Sequence, residues 1–353
     1  MPLPDLGVVV VSYNGADVLL DCLESLWASD GVRLTVVVVD NGSTDGTPQL
    51  LRDWAAGRQD WMAPADLPFA CTAAYKPIPL SEDPADWTAA AEAAGHRLLL
   101  LDTGLNAGFA GGVNRGLEVL AAQPGIDRFW VLNPDSAVPP GTARAFATAP
   151  EPDGGFSLMG GRVLYMHDPD MIQIDGGYVH PGSGITGNVN LGASHVATPL
   201  PDASGFDFIT GASMVASRRF YEIVGPMRED YFLYYEEVDW ALRRGDLPLA
   251  FCPDALLYHR AGASIGSPTL DRPAAPFSLY FKHRARRMFL HRFFPGSRLI
   301  AHAWTLGKAG QYMLRGYRAE ALALLRGSFG LAPPAAVRAR LSDEAKRRIG
   351  LAQ

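Results

Sequence analysis

The sequence of 353 residues has few cysteines and no long apolar run. Its three cysteines, Cys22, Cys71 and Cys252, form no C-x-x-C pair, which argues against a disulfide scaffold and against a structural zinc site. Apolar runs such as 8–11 and 98–101 fall far short of the roughly 18 residues that a membrane span requires. The N-terminus also lacks a basic segment typical of export signals. We therefore expect a cytoplasmic protein without a transmembrane helix.

Basic residues are scarce in the first three quarters of the chain. Residues 1–271 contain 15 Lys and Arg against 34 Asp and Glu, whereas residues 272–353 contain 16 against 3. The formal net charge of −6 therefore hides an acidic body and a basic tail. An acidic body without a recognition motif argues against nucleic acid as a partner.

Short apolar segments alternate with amphipathic segments in the first 150 residues. Strands are predicted at 7–12, 35–39, 97–101 and 129–133, with helices between them. Strands of this kind are typical of a parallel sheet that is covered on both faces. Residues 58–96 have no clean periodicity and are interpreted as an insertion. The predicted fold class is α/β, with a mixed, mainly parallel sheet and helices on both faces.

The pattern changes after residue 155, where glycine-rich turns separate short strands. We predict strands at 161–165, 171–174, 206–210 and 212–216, followed by a helix at 236–244 and a strand at 249–259. A Gly/Ser/Pro linker at 262–276 then precedes the tail. These boundaries predict a catalytic domain at 1–270, with halves at 1–150 and 151–270, and a helical basic region at 271–353.

Polar residues follow four of the predicted strands. They are Ser12, Tyr13 and Asn14 after the first strand, Asp40 and Asn41 after the second, Asn106 with the glycine turn 108–112 after the third, and Asp135 after the fourth. In open α/β sheets, ligands bind beyond the carboxyl ends of the strands. Each motif alone also suits an ordinary turn or helix cap, so only their convergence predicts a site.

A second cluster of polar residues lies at 230–240. Glu236, Glu237 and Asp239 are three carboxylates in four positions, and such crowding can raise a pKa enough to create a base that works near neutral pH. Acidic residues in the first turn of a helix, which complement its dipole, are the alternative. His259 ends the next predicted strand, where a histidine in a core or a turn is the common case.

The joint order of these motifs resembles the family-two glycosyltransferases of the GT-A fold, in particular the bacterial rhamnosyltransferase-like branch. The resemblance spans roughly residues 7–295. Its motifs are Val11-Ser12-Tyr13-Asn14, Val39-Asp40-Asn41-Gly42-Ser43, Asn106-Ala107-Gly108-Phe109-Ala110-Gly111-Gly112-Val113-Asn114, Leu132-Asn133-Pro134-Asp135, Gly211-Ala212-Ser213-Met214, Tyr234-Tyr235-Glu236-Glu237-Val238-Asp239 and Tyr258-His259.

The resemblance implies a role for individual residues. It implies that Asp40 hydrogen-bonds the nucleotide base. The remaining residues implied around the nucleotide are Ser12, Tyr13, Asn14, Asn41, Asn106, Gly111, Asn114 and Asn133. Asp135, at the end of a DxD-like motif, and His259 are the implied metal ligands. Oxygen and nitrogen donors of this kind suit Mg²⁺ or Mn²⁺ shared with diphosphate oxygens.

An acceptor hydroxyl needs a positioned carboxylate to take its proton. Glu237 is the candidate base, with Glu236 and Asp239 as alternatives, because this chain has Glu-Glu where the family motif usually has Glu-Asp. One carboxylate and no covalent nucleophile imply single displacement with inversion.

The resemblance predicts a sugar transferase that uses a nucleoside-diphosphate donor and a glycan or lipid-linked glycan acceptor in cell-surface polysaccharide synthesis. The first candidate for the donor is dTDP-rhamnose, with UDP-linked galactofuranose, glucose or N-acetylhexosamine as alternatives. A sugar-phosphate nucleotidyltransferase is disfavoured, because residues 11–15 contain no basic residue for a triphosphate. A non-catalytic carbohydrate-binding protein is the remaining alternative.

The basic tail begins with a segment that suits two roles. Lys282, His283, Arg286 and Arg287 fall on one side of a predicted helix, beside several aromatic residues. Such a segment at 277–294 suits peripheral contact with the inner face of the plasma membrane, or a grip on a lipid-linked diphosphate. Packing of the helix against the catalytic domain is the alternative.

Overall fold

The computed structural model describes residues 3–89, 95–260 and 273–350. Its strands are β1 (Asp5–Ser12), β2 (Arg33–Asp40), β3 (Leu80–Ser81), β4 (Arg97–Asp102), β5 (Arg128–Leu132), β6 (Ser136–Ala137), β7 (Leu158–Tyr165), β8 (Ile172–Ile174), β9 (Gly177–His180), β10 (Ile185–Asn188), β11 (Ser213–Ser217) and β12 (Ala250–His259). Its helices are α1 (Leu19–Trp27), α2 (Thr47–Ala55), α3 (Pro84–Ala89), α4 (Gly108–Ala121), α5 (Thr142–Thr148), α6 (Arg218–Val224), α7 (Glu236–Leu242), α8 (Pro276–Phe293), α9 (Arg298–Leu314), α10 (Arg318–Ser328), α11 (Ala335–Arg338) and α12 (Asp343–Arg348).

The main sheet has the strand order β3-β4-β2-β1-β5-β11-β7-β12-β6, and β8 pairs with β7. The strands β3, β4, β2, β1 and β5 run parallel to one another, and β12 runs parallel to β7. β11 is antiparallel to both of its neighbours and joins the two parallel parts. The predicted architecture, a mixed and mainly parallel α/β sheet followed by a helical tail, is confirmed.

The valine-rich β1 shows why the core has two layers. Successive side chains of a strand point to opposite faces of the sheet. Val8 and Val10 accordingly pack in a layer with α1, α2 and α5, while Val9 and Val11 pack in a layer with α4, α7 and α8. A continuous apolar run is therefore what a strand buried on both faces requires.

In the second half of the chain, the strand predicted at 206–210 does not form, whereas β9 and β10 form without having been predicted. Residues 206–210 form no extended strand, and Phe208 makes only an isolated bridge with Gly177. The alternating apolar residues Phe206 and Phe208 are nevertheless buried. A Cβ on Gly177 would lie 2.1 Å from the Phe208 ring. The alternation thus reflects a loop that fills a gap above a glycine rather than sheet pairing.

The basic tail begins with α8, which packs on the body through its apolar side. Phe281 and Phe289 are fully buried, and Phe289 stacks on Tyr235 with ring centroids 5.3 Å apart. These aromatic side chains are used inside the fold, so they support the packing alternative, and the membrane contact predicted for 277–294 stays a prediction. The alternative, packing against the catalytic domain, is what the structure shows. The linker at 262–276, apart from 273–276, and the boundary at 270 lie outside the described residues.

Candidate functional site

The carboxyl ends of β1 and β2 lie side by side. Ser12 pairs in register with Asp40, and the Asn41 amide donates to the Ser12 carbonyl at 2.8 Å. The Asp40 Oδ2 atom accepts from the Ser43 amide at 2.8 Å, whereas its Oδ1 atom is buried and has no partner among the described residues. Ser12 Oγ and Asn41 Oδ1 are also buried without a described partner. Such unpaired groups are costly in a fold, so their grouping at one edge indicates a ligand.

The loop after β1 is held against the loop after β2. Asn14 adopts a positive φ of 50°, which is uncommon for a residue other than glycine. Its side-chain Oδ1 accepts from the Thr44 amide at 2.8 Å, and its own amide donates to Ser43 Oγ at 2.8 Å. Tyr13 between these anchors is exposed. The Ser12–Asn14 segment is therefore fixed at the strand-end edge with an aromatic ring available in solvent.

The glycine turn 106–112 connects this edge to residues 230–235, which form the acidic loop before α7. Asn106 Oδ1 accepts from the Gly108 amide at 2.9 Å, and Asn41 Nδ2 donates to the Gly108 carbonyl at 2.8 Å. A Cβ on Gly108 would lie 2.3 Å from the Phe232 carbonyl oxygen. The absence of a side chain at Gly108 thus allows the backbone of the acidic loop to approach.

Two residues that the resemblance places around the nucleotide, Gly111 and Asn114, lie in α4 and are buried in the fold. Asn114 is buried, and it accepts from the Met227 amide at 2.9 Å while donating to the Met227 carbonyl at 2.9 Å and to Glu229 at 3.0 Å. It therefore ties α4 to the segment that leads to the acidic loop. Gly111 lies within the first turns of α4 and is buried.

Asp135 and His259 come together across the sheet. The antiparallel pairing of β6 with β12 matches Ser136 with His259. It places His259 Nε2 3.0 Å from Asp135 Oδ1. Both residues are buried. Two positions that are 124 residues apart in the chain thus form one pair, as the resemblance implied.

The hydrogen bonds around His259 determine which ring nitrogen is free. Its Nδ1 lies 2.7 Å from Gln173 Oε1, which can only accept, so Nδ1 carries the proton. Asn133 Nδ2, which can only donate, lies 3.3 Å from Nε2. In the neutral ring, Nε2 therefore presents a lone pair beside the Asp135 carboxylate. Two acceptors this close require a proton or a cation between them.

The separation of these two acceptors suits a shared cation. Two ligands of one octahedral Mg²⁺, each at about 2.1 Å, are about 3 Å apart. Burial raises the pKa of Asp135, but the hydrogen bond with His259 and the nearby Arg260 outweigh it and lower the pKa from its ordinary value. The described residues contain no group of three or more His, Cys, Asp or Glu that could hold a metal ion. The pair would supply two ligands and leave the others to diphosphate or water.

The acidic loop before α7 is strained. Phe232, Tyr234 and Tyr235 have φ values of 68°, 70° and 69°, and each such residue costs on the order of 1–3 kcal/mol. The strain places Glu236 and Glu237 at the N-terminus of α7. Glu236 is 3% exposed, and its Oε2 atom is buried without a described partner.

The two adjacent glutamates have different environments. Burial and the charge of Glu237 raise the pKa of Glu236 well above its ordinary value. Burial also raises the pKa of Glu237, but the positive charge of Lys282 opposes this shift. Glu236 therefore keeps the proton more strongly, and Glu237 is the member of the pair that ionises first.

Gly211 connects Glu237 with the end of β5. The Ala212 carbonyl accepts from the Asn133 amide at 3.0 Å, and a Cβ on the preceding Gly211 would lie 4.0 Å from the Glu237 Cβ. The Gly211-Ala212 turn is thus in contact with both the Asn133–Asp135 turn and the base candidate. Together with the contacts given above, this turn links all seven of the quoted motifs.

Asp239 does not share this environment. Its Oδ2 accepts from the Tyr231 hydroxyl at 2.9 Å and from Arg292 at 2.6 Å, and its Oδ1 accepts from Arg243 at 2.8 Å. Both carboxylate oxygens are therefore engaged. We assign Asp239 a structural role between α7 and α8, which corrects its prediction as an alternative base.

Two residues beside the Asp135–His259 pair were not predicted from the sequence. Gln173 lies in β8 between Ile172 and Ile174, and a polar residue inside a short apolar strand was the signal that could have identified it. Arg260 follows His259 directly and pairs with Asp21 at 3.0 Å and with Asp66 at 3.2 Å. Arg260 thus anchors the insertion 58–96 next to the site.

Comparison with known proteins supports the motif assignment. The model of the family described as "Glycosyl transferase family 2" matches residues 7–62. An N-acetylglucosaminyl-diphospho-decaprenol L-rhamnosyltransferase from Mycobacterium tuberculosis is 25% identical over 99% of this chain and 98% of its own length. A succinoglycan biosynthesis protein from Rhizobium meliloti is 47% identical over 14% of each chain.

Solved structures of glycosyltransferases also resemble the chain. A mannosyltransferase from Pyrobaculum calidifontis, determined with GDP-Man and Mn²⁺, aligns with a TM-score of 0.48 and 15% identity, over 99% of this chain and 84% of that one. The sequence matches confirm the resemblance that the motifs carry. The chain is a glycosyltransferase that resembles the family-two enzymes.

Proposed function

We propose that the chain transfers a sugar from a nucleoside-diphosphate donor to a glycan or lipid-linked glycan acceptor, with inversion at the anomeric carbon. The observation that carries this proposal is the set of buried polar atoms without a described partner along one edge of the sheet. They belong to Ser12, Asp40, Asn41, Ser136 and Glu236. Buried polar groups in folded proteins normally have partners, so we infer that a polar ligand completes them.

The nucleotide is proposed to bind at the ends of β1 and β2. Asp40 Oδ1 would accept from an N–H group of the base, which a buried and unpaired carboxylate oxygen is suited to do. The Ser12–Asn14 segment would line the base pocket, while Asn41, Asn106 and Gly111 would shape the wall beside the ribose and diphosphate. In this proposal Asn114 acts through the segment 227–229, to which it is bonded.

A divalent cation, Mg²⁺ or Mn²⁺, is proposed to be held by Asp135 and His259. The buried acceptor pair fits such an ion, and the chemistry it would supply is neutralisation of charge on the departing diphosphate. Gln173 fixes the His259 tautomer that leaves Nε2 free. Asn133 would position the pair through its contact with His259.

Glu237 is proposed as the base. Its carboxylate would accept the proton of the acceptor hydroxyl as that oxygen attacks the anomeric carbon and the diphosphate leaves from the opposite face. Burial raises the pKa of Glu237, which brings it closer to the operating pH and favours proton transfer. The protonated Glu236 beside it would hold no charge and would leave Glu237 as the single base.

The donor is proposed to be dTDP-rhamnose, with a UDP-linked sugar as the alternative. The full-length similarity to a rhamnosyltransferase with a decaprenol-linked acceptor supports both this donor and a lipid-linked acceptor. The local similarity to a succinoglycan biosynthesis protein supports a role in polysaccharide synthesis. We further propose that residues 1–150 bind the nucleotide and residues 151–270 face the acceptor. The cytoplasmic location stays a prediction.

A thermal-shift panel tests the nucleotide site. The full chain is heated with UDP, dTDP, GDP or CDP, each with and without Mn²⁺, because a ligand that binds only the native state raises its melting temperature. We expect dTDP or UDP to stabilise the chain only when Mn²⁺ is present. Asp40→Ala should abolish this shift, while Asp254→Ala, which alters an exposed carboxylate of β12, should keep it.

The same protein then tests transfer. Release of dTDP from dTDP-rhamnose in the presence of a polyprenyl-diphosphate N-acetylglucosamine acceptor is expected, and anomeric inversion is read from the product by NMR. Nucleotide binding without transfer to any acceptor would favour the carbohydrate-binding alternative. No stabilisation by any nucleotide would contradict the proposal.

A further inference from the structure

Helix α9 presents its large apolar side chains to solvent. The exposed members are Leu299, Ile300, Trp304, Leu306, Met313 and Leu314, which we call the α9 apolar face. Leu299 is 83% exposed and Leu314 is 91% exposed. With 3.6 residues per turn, these six positions cover one half of the helix. No charged residue lies among them.

The opposite side of α9, which is buried, carries small residues. Ala301, Thr305 and Ala309 follow one another at intervals of four and are buried. Soluble helices bury their large apolar residues and expose polar ones, so α9 has the reverse arrangement. The small inner stripe allows α9 to pack closely on the rest of the tail, while the large apolar residues other than Trp304 point mainly to solvent.

The orientation of α9 is fixed by specific contacts. The buried Arg286 of α8 donates to Thr305 Oγ1 and to the Ala301 carbonyl. His302 stacks on Phe329 at the end of α10, with ring centroids 4.7 Å apart. The Arg286 guanidinium also lies over the Trp304 ring, 5.3 Å from its centroid. Rotation of α9 to bury its apolar face would break these contacts.

Basic residues flank the α9 apolar face. Arg298 precedes it, Lys308 lies at its side, and Arg315 and Arg318 follow it, while the sequence from 273 to 317 contains no Asp or Glu. A second copy of this chain would place the same basic residues opposite one another. An anionic surface complements them. The acidic body, with 34 Asp and Glu against 15 Lys and Arg in residues 1–271, would be repelled by that surface.

We propose that the α9 apolar face docks the chain on an anionic lipid bilayer, with α9 lying in the plane of the membrane interface. An interfacial helix of this kind buries apolar side chains at the boundary of headgroups and acyl chains, and flanking Lys and Arg contact the anionic headgroups. Tryptophan is enriched at this depth, and the half-exposed Trp304 lies at one margin of the face. Among the described residues no helix is long and apolar enough to span the bilayer.

This inference rests on the proposed function for its purpose, because a bilayer is where a lipid-linked acceptor would be found. Its physical argument is independent of catalysis. A protein that failed to transfer sugar could still bind vesicles, and an active transferase could fail to bind them.

Vesicle flotation tests the proposal directly. The full chain is mixed either with vesicles of phosphatidylcholine alone or with vesicles in which about a third of the lipid is phosphatidylglycerol. We expect binding to the anionic vesicles that weakens as salt is raised. The triple variant Leu299→Gln, Ile300→Gln, Leu314→Gln should lose at least about tenfold in partitioning. Its melting temperature should stay unchanged, because all three side chains are exposed.

A matched control replaces apolar residues that are equally exposed on the body. The variant Val196→Gln, Leu200→Gln, Ile223→Gln should bind the vesicles as the unmodified chain does. Trp304→Phe should keep binding but remove the quenching of tryptophan fluorescence by brominated lipids. Equal loss in both triple variants, or retention in the α9 variant, would overturn the proposal. Absence of vesicle binding together with a dimer in light scattering that the α9 variant abolishes would assign the face to self-association instead.

Discussion

Glu236 and Asp239 lie on the same short helix and are both almost fully buried, but their surroundings differ. Asp239 accepts three hydrogen bonds, two of them from arginines. Glu236 has a carboxylate oxygen without a described partner, and its pKa is raised well above its ordinary value by burial and by Glu237. The fold supplies hydrogen-bond donors to the Asp239 carboxylate and leaves an oxygen of the Glu236 carboxylate without a described partner. This difference separates a structural residue from one at a site.

The same contrast holds between two larger regions. The buried Asp175 accepts hydrogen bonds from both Nε and Nη2 of Arg162 at 2.9 Å, and Asn190 donates a third. At the strand-end edge, by contrast, Ser12 and Asp40 retain buried polar atoms without a described partner. Unpaired buried groups destabilise a fold, so a chain retains them where a ligand supplies the missing bonds. We expect groups at the strand-end edge to act in function, and carboxylates fully paired within the fold, such as Asp239, to act in stability.

The largest effect on activity is expected at Asp135 and His259, the proposed metal ligands. Asp135→Ala should reduce transfer by about 10³-fold or more, because the charge of the leaving diphosphate would lose its counter-ion. Stability should change by only about 1 kcal/mol, as for a typical substitution. Initial rates with Mn²⁺, together with a thermal melt, measure both. Undiminished transfer would exclude Asp135 as a metal ligand.

Glu237→Gln should reduce transfer by about 10²- to 10⁴-fold, the usual contribution of a general base. Donor binding should remain, since the carboxylate acts on the acceptor. A base works when it is ionised, so kcat/KM should fall as the pH drops through the raised pKa of Glu237. Lys282→Met removes a charge that lowers this pKa, and the fall should therefore begin at a higher pH. A profile that does not move contradicts the assignment.

The structural carboxylate should show the opposite behaviour. Asp239→Ala removes the acceptor of the buried Tyr231 hydroxyl and of the partly exposed Arg243 and Arg292, and it should cost about 1.5–3 kcal/mol of unfolding free energy, measured by urea denaturation. Glu236→Gln should raise stability at pH 8, because a carboxyl whose folded pKa is raised destabilises the fold once the pH exceeds its unfolded pKa. Little change is expected for this variant at pH 4. Equal destabilisation by both variants would remove the distinction.

The smallest effect is expected at Gln173, which acts through His259. Gln173→Met removes the acceptor that holds the Nδ1 proton and should weaken Mn²⁺ binding by about 10- to 100-fold. The activity of the variant should recover at high Mn²⁺ concentration, whereas that of Asp135→Ala should not. Gln173→Glu, which keeps an acceptor, should retain affinity. Equal metal affinity in all three proteins would make the Gln173 contact structural.

Several features followed from the sequence by itself. The alternation of β1, β2, β4 and β5 with helices is a local pattern, because strands buried on both faces must be apolar throughout, and it predicted the α/β sheet. The motifs at the strand ends predicted Asp40 and Asp135, since parallel strands end at a common edge. The family resemblance added His259 and the two glutamates.

Only the tertiary structure could decide what long-range contacts determine. The contact between Asp135 and His259 depends on the pairing of β6 with β12, and the engagement of Asp239 depends on Arg292 from a different helix. The sequence showed the α8 segment as apolar and basic, and the rest of the tail as basic and helical, without indicating which side chains face the body. Their roles were decided by packing, because α8 buries Phe281 and Phe289 while α9 turns small residues inward and leaves its large apolar side chains in solvent.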